Sequence, residues 1–144
     1  MSGFPVVVAL TVEWGDQDPF GHVNNTVYFR WCETARVVYL DRVGMWKLFK
    51  AEGKGPIVAA IGCNFRQQVT FPDTVYAGAR VTRIGNSSFR MEHCIVNQST
   101  GKVVADGDST LVFFDYKKNK SLPVPGDLRQ AIQELEGGGL NTVR

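Results

Sequence analysis

A dense group of polar residues lies between the first apolar stretch of the chain and a long helical pattern. It contains two carboxylates, an imidazole and two amides: Asp16, Asp18, His22, Asn24 and Asn25. A carboxylate beside the free N–H groups of a helix N-terminus suits nucleophilic or base-assisted attack on a carbonyl, because those groups can hold a developing oxyanion. The same residue types also favour turns and helix caps for local reasons. The pattern alone therefore leaves a catalytic and a structural interpretation open.

A metal site is a weaker interpretation of the same group. Asp16, Asp18 and His22 carry suitable ligand atoms, but their spacing in a loop is not diagnostic of any metal. The three cysteines are each 31 residues apart and match neither a disulfide framework nor a zinc site. We therefore expect no metal, reduced thiols and a cytoplasmic location.

The elements that must position this group follow from the hydrophobic pattern. Apolar and β-branched residues predict a first strand over residues 4–14, and the Gly-, Asp- and Asn-rich residues 15–25 predict a loop. Apolar residues at helical spacing then predict a helix from about Thr26 to the low 40s, which residues 45–50 extend past Gly44. Because apolar residues occupy its other faces as well, we expect this helix to be buried in the core.

The remaining pattern predicts strands followed by a short helix. Residues 57–71 resemble one long bent strand with a bulge at Gly62. Three further strands and an amphipathic helix are predicted over 75–84, 88–96, 102–115 and 127–136. Neighbouring strands joined by short turns predict an antiparallel five-stranded sheet with the long helix on its face, an α+β fold. One helix cannot cover both sides of such a sheet, so we expect a second subunit to cover or extend it.

Length and composition argue against several function classes. The 144 residues predict a single domain over 1–136, with 137–144 as a flexible C-terminal tail. Sixteen basic and fourteen acidic residues leave a net charge of only +2, whereas a nucleic-acid binder needs a concentrated positive surface. The longest apolar run, residues 4–10, is far too short to span a bilayer, so we expect no membrane insertion.

The polar group and the start of the helix together resemble a known signature. The stretch GDQDPFGHVNNTVYFRWCETAR, residues 15–36, is similar to the hotdog-fold thioesterases, and is nearest to the 4-hydroxybenzoyl-CoA thioesterase branch and its acyl-CoA thioesterase relatives. Residues 66–78 and 105–115 extend the resemblance along the chain. It implies a hotdog fold, in which an antiparallel five-stranded sheet wraps around one long buried helix.

The resemblance also implies an activity, the hydrolysis of an acyl-CoA or acyl-carrier-protein thioester to a free acid and a thiol. No cofactor is implied, because coenzyme A is part of the substrate, and a homodimer or homotetramer is expected. The chemistry is feasible with few residues, since a thiolate leaves far more readily than an alkoxide and needs no dedicated acid.

Carried over residue by residue, the resemblance implies roles for the polar group. Asp18 is the catalytic carboxylate, acting as nucleophile or general base, and the backbone N–H of Asn25 polarises the thioester carbonyl. His22 joins them in the catalytic group. The remaining residues are expected to contact substrate: Asn24, Tyr28 and Glu33 near the acyl group, and Arg83, Ser87, Ser88 and Arg90 around a Gly85-Asn86 hairpin near the nucleotide.

Two alternatives share the scaffold. A hydratase or dehydratase would use a histidine on the helix, and the predicted helix contains none. A non-catalytic acyl-thioester binding module would tolerate the loss of Asp18, so the intact carboxylate argues mildly against it. Acyl chain length and the preference for aryl or alkyl groups stay open.

Overall fold

The computed structural model describes residues 1–138 and 140–142. In chain order the strands and helices are β1 (Val6–Thr11), α1 (Asn25–Arg42), α2 (Met45–Glu52), β2 (Lys54–Phe65), β3 (Thr74–Ile84), β4 (Ser88–Asn97), β5 (Val103–Asp115), β6 (Lys120–Ser121), α3 (Gly126–Leu135) and β7 (Asn141–Thr142). None of the helices in these described ranges is long and apolar enough to cross a membrane.

The five long strands form one antiparallel sheet in the order β1-β3-β4-β5-β2. The two-residue strands β6 and β7 add to β5 and β3, and β7 is parallel to its neighbour. Strand β4 alternates between buried residues that face α1, such as Phe89 and Met91, and residues on the outer face, such as Arg90. The predicted α+β fold, a curled antiparallel sheet packed on a long helix, is confirmed.

Helix α1 buries only one of its faces in this chain. The buried residues include Tyr28, Ala35 and Tyr39, whereas Val37 is 58% exposed. The helix packs mainly on β3, β1 and β4 and only lightly on β2. The predicted burial of this helix in the core therefore holds for the face that packs on the sheet, while the opposite face is exposed in the single chain because the sheet offers only one surface to it.

A glycine separates α1 from α2 where the sequence predicts a continuous helix. Gly44 has a φ of 84°, a left-handed conformation that a residue with a side chain adopts only with strain. The chain changes direction there, and α2 begins at Met45 as a separate helix.

Strand β2 ends earlier than the sequence predicts. The N–H groups of Arg66 and Gln67 both donate to the carbonyl oxygen of Val104, so the regular ladder stops after Phe65. Residues 66–73 are an irregular segment instead of strand. Sequence analysis missed this boundary because Val69 and Phe71 resume the apolar alternation after three polar residues.

The predicted bulge at Gly62 is also misplaced. The register of β2 shifts between Val58 and Ala60, and Gly62 itself pairs regularly with Asp108. A glycine is required nearby for a different reason: a Cβ on Gly107 would lie 2.6 Å from the Gly62 carbonyl oxygen. The glycines here permit close strand approach and do not mark a bulge.

The C-terminal helix is attached to the core by a polar contact. Glu136, just after α3, accepts hydrogen bonds from the Tyr39 hydroxyl at 2.6 Å and the Val81 N–H at 2.9 Å. Beyond it, β7 pairs with Arg83 and Ile84 of β3, inside the segment predicted as a flexible tail. Gly139, Val143 and Arg144 of that segment lie outside the described residues.

Removing the Tyr39 hydroxyl tests this contact. Tyr39→Phe should lower the free energy of unfolding by about 1.5–3 kcal/mol, because a hydrogen bond to a carboxylate under a buried ring is lost. Chemical denaturation monitored by circular dichroism measures the change. Tyr76→Phe is the matched control, since its hydroxyl makes an exposed hydrogen bond with Gln98, and it should change stability by less than about 0.5 kcal/mol. Equal effects of the two variants would contradict the attachment.

Candidate active site

The loop before α1 is anchored by Asp16. Its carboxylate accepts hydrogen bonds from the Glu13 N–H and the Arg30 guanidinium, both at 2.9 Å, and its side chain is only 8% exposed. Its carbonyl oxygen accepts from the Asn24 N–H at 3.0 Å. Asp16 therefore ties the start of the loop, the end of the loop and the first turns of α1 together, which is a structural role.

Asp18 lies at the corner of a tight turn within this loop. Its N–H donates to the His22 carbonyl oxygen, its carbonyl accepts from the Gly21 N–H, and an isolated bridge joins Gln17 to Val23. One carboxylate oxygen, Oδ1, accepts from the Phe20 N–H at 2.9 Å. The side chain of Asp18 is half-buried. Oδ2 has no hydrogen-bond donor among residues 1–138 and 140–142.

Helix α1 begins directly after this turn with an unpaired donor. Asn24 is the N-cap, and its Oδ1 accepts from the Thr26 N–H at 2.9 Å and the Thr26 hydroxyl at 2.8 Å. The N–H of Asn25, the first helical residue, has no acceptor within the described part of the chain. Since the first N–H groups of a helix carry partial positive charge, this donor can bind an anionic or polarised oxygen.

The structure therefore brings together the predicted residues Asp18, His22, Asn24 and Asn25 in one turn and helix start. His22 is half-buried, and its carbonyl oxygen helps to close the turn. The turn and cap interpretation is correct for Asp16 and Asn24. It does not account for the free oxygen of Asp18 or the free N–H of Asn25.

The irregular segment after β2 forms a wall of the site that the sequence did not predict. Its Val69 carbonyl accepts from the Val23 N–H at 2.8 Å, and its Gln67 carbonyl accepts from the Tyr28 hydroxyl at 3.0 Å. The Tyr28 ring is buried and meets Phe65 edge-on at 5.3 Å. Burial raises the pKa of Tyr28. Tyr28 thus forms part of a wall, and its hydroxyl is already engaged by the chain.

Glu33, predicted to contact substrate, is exposed on α1 two turns beyond Asn25. Arg36, one turn further on, is only 8% exposed, and burial lowers its pKa. Within the described ranges, Arg36 makes no ion pair or side-chain hydrogen bond. Among the described residues no side-chain nitrogen is both fully buried and without a hydrogen-bond partner, so the Arg36 guanidinium keeps some contact with solvent at the surface of the single chain. The sequence gives no signal for Arg36 beyond a charge inside an apolar pattern.

Beneath α1, His93 is a satisfied core residue. Its ring nitrogens lie 3.3 Å from the Gly78 carbonyl oxygen and 3.1 Å from the Ser109 hydroxyl. Burial, with the charge of Arg36 as a second cause, lowers the pKa of His93 to about 4. His93 is therefore neutral near pH 7 and is held in place by the sheet.

The predicted nucleotide contacts lie at the other end of the sheet. Arg83 and Arg90 are cross-strand partners beside the β3–β4 hairpin, as expected, with Ser87 in the turn and Ser88 at the start of β4. Strand β3 runs from near the Asp18 loop to this hairpin, about 33 Å at the usual rise of a strand. Arg90 is also paired with Glu92 and Asp108. One chain does not bring these four residues to Asp18.

An uncovered apolar surface lies between these two ends. On β2, Val58, Ile61 and Phe65 face the helix side of the sheet, yet they are 44%, 53% and 41% exposed. We call these three residues the apolar strip. It follows the edge strand β2, whose outer backbone groups have no neighbouring strand in the described chain.

The single chain does not enclose the Asp18 region. Three surface grooves of about 570, 620 and 630 Å³ lie over the outer face of the sheet, beside α2, and between the hairpin and α3. None of these three contains Asp18 or Asn25. In the part of the chain that the structure describes, no three His, Cys, Asp or Glu side chains are grouped so that they could hold a metal ion.

Comparison with known proteins identifies the family. The profile of the thioesterase-like superfamily matches residues 12–132, which include the Asp18 loop, α1, four of the five long strands and most of α3. The chain belongs to the thioesterase-like superfamily. The predicted resemblance to hotdog-fold thioesterases, and with it the prediction of a thioester hydrolase, is confirmed.

Individual thioesterases share both sequence and fold with this member of the superfamily. The long-chain acyl-CoA thioesterase FadM of Escherichia coli K12 is 27% identical over 118 residues, which are 82% of this chain and 89% of FadM. The crystal structure of a Thermus thermophilus thioesterase complexed with coenzyme A and Zn is 34% identical, with a TM-score of 0.84 over 95% of this chain and 98% of that one. The BH1999 gentisyl-coenzyme A thioesterase is 26% identical, with a TM-score of 0.77 over 88% and 98%.

The neutral His93 predicts a stability loss in mild acid. The unfolded chain takes up a proton below pH 6.5, whereas the folded chain resists until about pH 4. The free energy of unfolding attributable to His93 should therefore fall by about 1.4 kcal/mol per pH unit as the pH drops through this window. Urea titrations at several pH values measure the slope.

His93→Gln should lower the free energy of unfolding at neutral pH. It should also reduce the pH dependence of that free energy by the contribution of about one proton taken up on unfolding. A wild-type slope that persists in His93→Gln would show that other groups cause it.

Proposed function

We propose that this thioesterase hydrolyses acyl-CoA thioesters and that Asp18 is its catalytic carboxylate. The observation that carries the proposal is a free Asp18 oxygen in the turn that leads directly into α1, whose first N–H group, that of Asn25, is unpaired. Carboxylate and donor belong to one turn and one helix start, so a carbonyl can meet both. FadM and the Thermus thermophilus thioesterase, which act on or bind coenzyme A compounds, support the substrate class.

The two groups divide the chemistry between them. Asp18 either attacks the thioester carbon through Oδ2, forming a mixed anhydride that water then hydrolyses, or takes a proton from a water that attacks directly. In both routes the carbonyl oxygen gains negative charge, and the Asn25 N–H together with the helix dipole stabilises it. The C–S bond breaks as the intermediate collapses, and the sulfur leaves as a thiolate that needs no dedicated acid.

The surrounding residues hold this pair in place. The bond from the Phe20 N–H to Oδ1 fixes the orientation of the Asp18 carboxylate and leaves Oδ2 for the reacting carbon. The Asn24 cap fixes the direction of the first helical N–H groups. His22 closes the turn through its backbone carbonyl, and we keep it in the proposed catalytic group as the resemblance to the hotdog thioesterases implies.

The alternative activities lack a comparable observation. A hydratase would need a helix histidine, and α1 contains none, while the buried His93 is hydrogen-bonded on both ring nitrogens. A non-catalytic binding module would not need the free carboxylate oxygen of Asp18.

We further propose that the working enzyme is a homodimer joined along the apolar strip. An exposed apolar surface beside an unpaired edge strand is suited to an isologous interface, in which β2 strands of two copies pair antiparallel. The second copy would bury Ile61 and Phe65 and supply surroundings for the buried charge of Arg36.

Such pairing also accounts for the two separated halves of the predicted site. Antiparallel pairing of the edge strands places the hairpin end of one sheet level with the Asp18 end of the other. The predicted nucleotide contacts Arg83, Ser87, Ser88 and Arg90 would then serve the active site of the second copy. A homotetramer built from two such dimers keeps the same arrangement.

Replacing Asp18 tests the catalytic assignment. Asp18→Asn keeps the shape of the turn but removes the nucleophile or base, so kcat for acyl-CoA hydrolysis should fall at least about 100-fold. Thiol release from a panel of acyl-CoAs, followed with a chromogenic thiol reagent, measures it. Asp41→Asn, an exposed carboxylate at the other end of α1, is the control and should keep full activity. Unchanged activity in Asp18→Asn rules out the assignment.

Placing a charge on the apolar strip tests the dimer. Ile61→Lys should shift the chain toward monomers and reduce activity in parallel, because two lysines would face the same apolar interface. Light scattering coupled to gel filtration gives the mass. Val103→Lys changes a similarly exposed aliphatic residue outside the strip and should leave the mass at two or four chains. A wild-type monomer with full activity would contradict this proposal while leaving the role of Asp18 intact.

A further inference from the structure

The lysines of this chain are unevenly distributed. Of seven lysines, six lie in two short segments, residues 47–54 and 117–120, and only Lys102 lies elsewhere. The nine arginines are spread along the rest of the sequence. The clustering of lysines is therefore visible in the sequence, but the two lysine segments are more than 60 residues apart in the chain.

The fold brings the two lysine segments together. Lys54 is the cross-strand partner of Asp115, and the Tyr116 N–H donates to the Gly53 carbonyl oxygen at 2.9 Å. The Lys117 side chain lies over Gly53, where an added Cβ would come within 2.9 Å of it. Helix α2 and the β5–β6 turn therefore form one continuous basic surface.

Few carboxylates offset this charge. Glu52 is bonded to Lys54 at 3.2 Å, and Asp115 is buried, where it accepts the backbone N–H groups of Lys117 and Lys118. Asp127 lines the groove beside α2. Six lysines thus share a surface with three acidic residues, and the local excess is larger than the net charge of +2 of the whole chain.

An exposed aromatic cluster lies in the middle of these lysines. Trp46 is 55% exposed and stacks on Phe49 with ring centroids 5.5 Å apart. Phe49 meets Tyr116 edge-on at 5.5 Å, and Tyr116, 45% exposed, meets Phe114 at 5.3 Å. The Lys50 ammonium lies 5.2 Å from the centre of the Trp46 ring.

We propose that this basic aromatic patch, formed by the six lysines with Trp46, Phe49 and Tyr116, docks the protein reversibly on an anionic lipid surface. Lysines near such a surface are attracted by its negative potential, while Trp and Tyr rings favour the headgroup level, where one edge is apolar and the other is wet. Lysine stems also lie along apolar surface while their charges stay in water. The inference is independent of the catalytic role of Asp18.

A lipid surface fits both components of the patch. A small soluble anion would neutralise lysines but leave the Trp46–Phe49 stack exposed to water, whereas an interface takes up the rings and the charges together. Two separate elements contribute rings to the patch, since α2 supplies Trp46 and Phe49 and the β5–β6 turn supplies Tyr116. A docking surface built from two rigid neighbours fixes how the protein is oriented on the lipid.

Vesicle flotation tests the proposal with the full chain. Wild-type protein should float with phosphatidylcholine vesicles that contain phosphatidylglycerol, should not float with pure phosphatidylcholine vesicles, and should be released by salt. The double variant Lys117→Glu/Lys118→Glu should bind at least about tenfold more weakly. Lys102→Glu, the control outside the patch, should bind like wild type.

The aromatic component has its own matched pair. Trp46→Ala should weaken flotation, whereas Trp14→Ala, which removes a tryptophan that is 73% exposed in the loop before α1, should not. Thermal melting and thiol release confirm that each variant is folded.

Three results would overturn the inference. They are no flotation of the wild type with anionic vesicles, equal loss in Lys102→Glu and the double variant, and flotation that is unaffected by Trp46→Ala. Binding of soluble coenzyme A to the patch without vesicle binding, detected by quenching of Trp46, would also overturn it and assign the patch to a soluble nucleotide. None of these outcomes of the vesicle experiments affects the test of Asp18 by thiol release.

Discussion

The contacts of Asp16 are the ones on which the site depends. Its carboxylate holds the Glu13 N–H and the Arg30 side chain, and its carbonyl holds the Asn24 N–H. These bonds pin both ends of the loop to the first turns of α1. Together with the Gln17–Val23 bridge and the Val23–Val69 bond, they fix the Asp18 turn relative to the helix start. A largely buried, fully bonded carboxylate thus serves as the support for a neighbouring one that keeps an oxygen free.

The same division between satisfied and unsatisfied groups recurs across the molecule. His93 beneath α1, and Tyr28 and Tyr39 on α1, are buried and bonded within the chain, and the two tyrosine hydroxyls fasten the helix to its surroundings. The Asn25 N–H, Arg36 and the apolar strip lack partners in the described chain. These open groups all lie on one side of α1 or at its start. In our proposal, they mark the surface where this thioesterase meets its substrate and its second copy.

The sequence predicted the elements better than their limits. The strand alternation and the helix spacing placed β3, β4, β5 and α1 to within a few residues, because burial on one face imposes a clear period. The strand alternation failed to predict the end of β2 before residues 66–73, where apolar residues recur but the backbone hydrogen bonds no longer follow the strand ladder. Gly62 was predicted to be a bulge because a glycine within a strand pattern can indicate either a kink or a close approach of two strands, and the sequence cannot distinguish them.

The residues of the site show the same limit. Spacing grouped Asp18 with Asn25, because both lie in one short polar stretch before a helical pattern. Only the structure separated the structural Asp16 from the exposed oxygen of Asp18, since that distinction depends on which donors surround each carboxylate. Arg36 could be recognised as a residue of interest only from its burial in the structure.

The unpaired edge of β2 has a consequence for the newly synthesised, monomeric chain. Twelve residues of strand with exposed Val58, Ile61 and Phe65 form a template that any other extended segment can join. If the chain pairs as proposed, a newly synthesised copy either joins a second copy along this edge or aggregates non-specifically, and the outcome depends on the concentration of the chain. The surface that is suited to a partner is for the same reason the part of the fold that most needs a chaperone until that partner arrives.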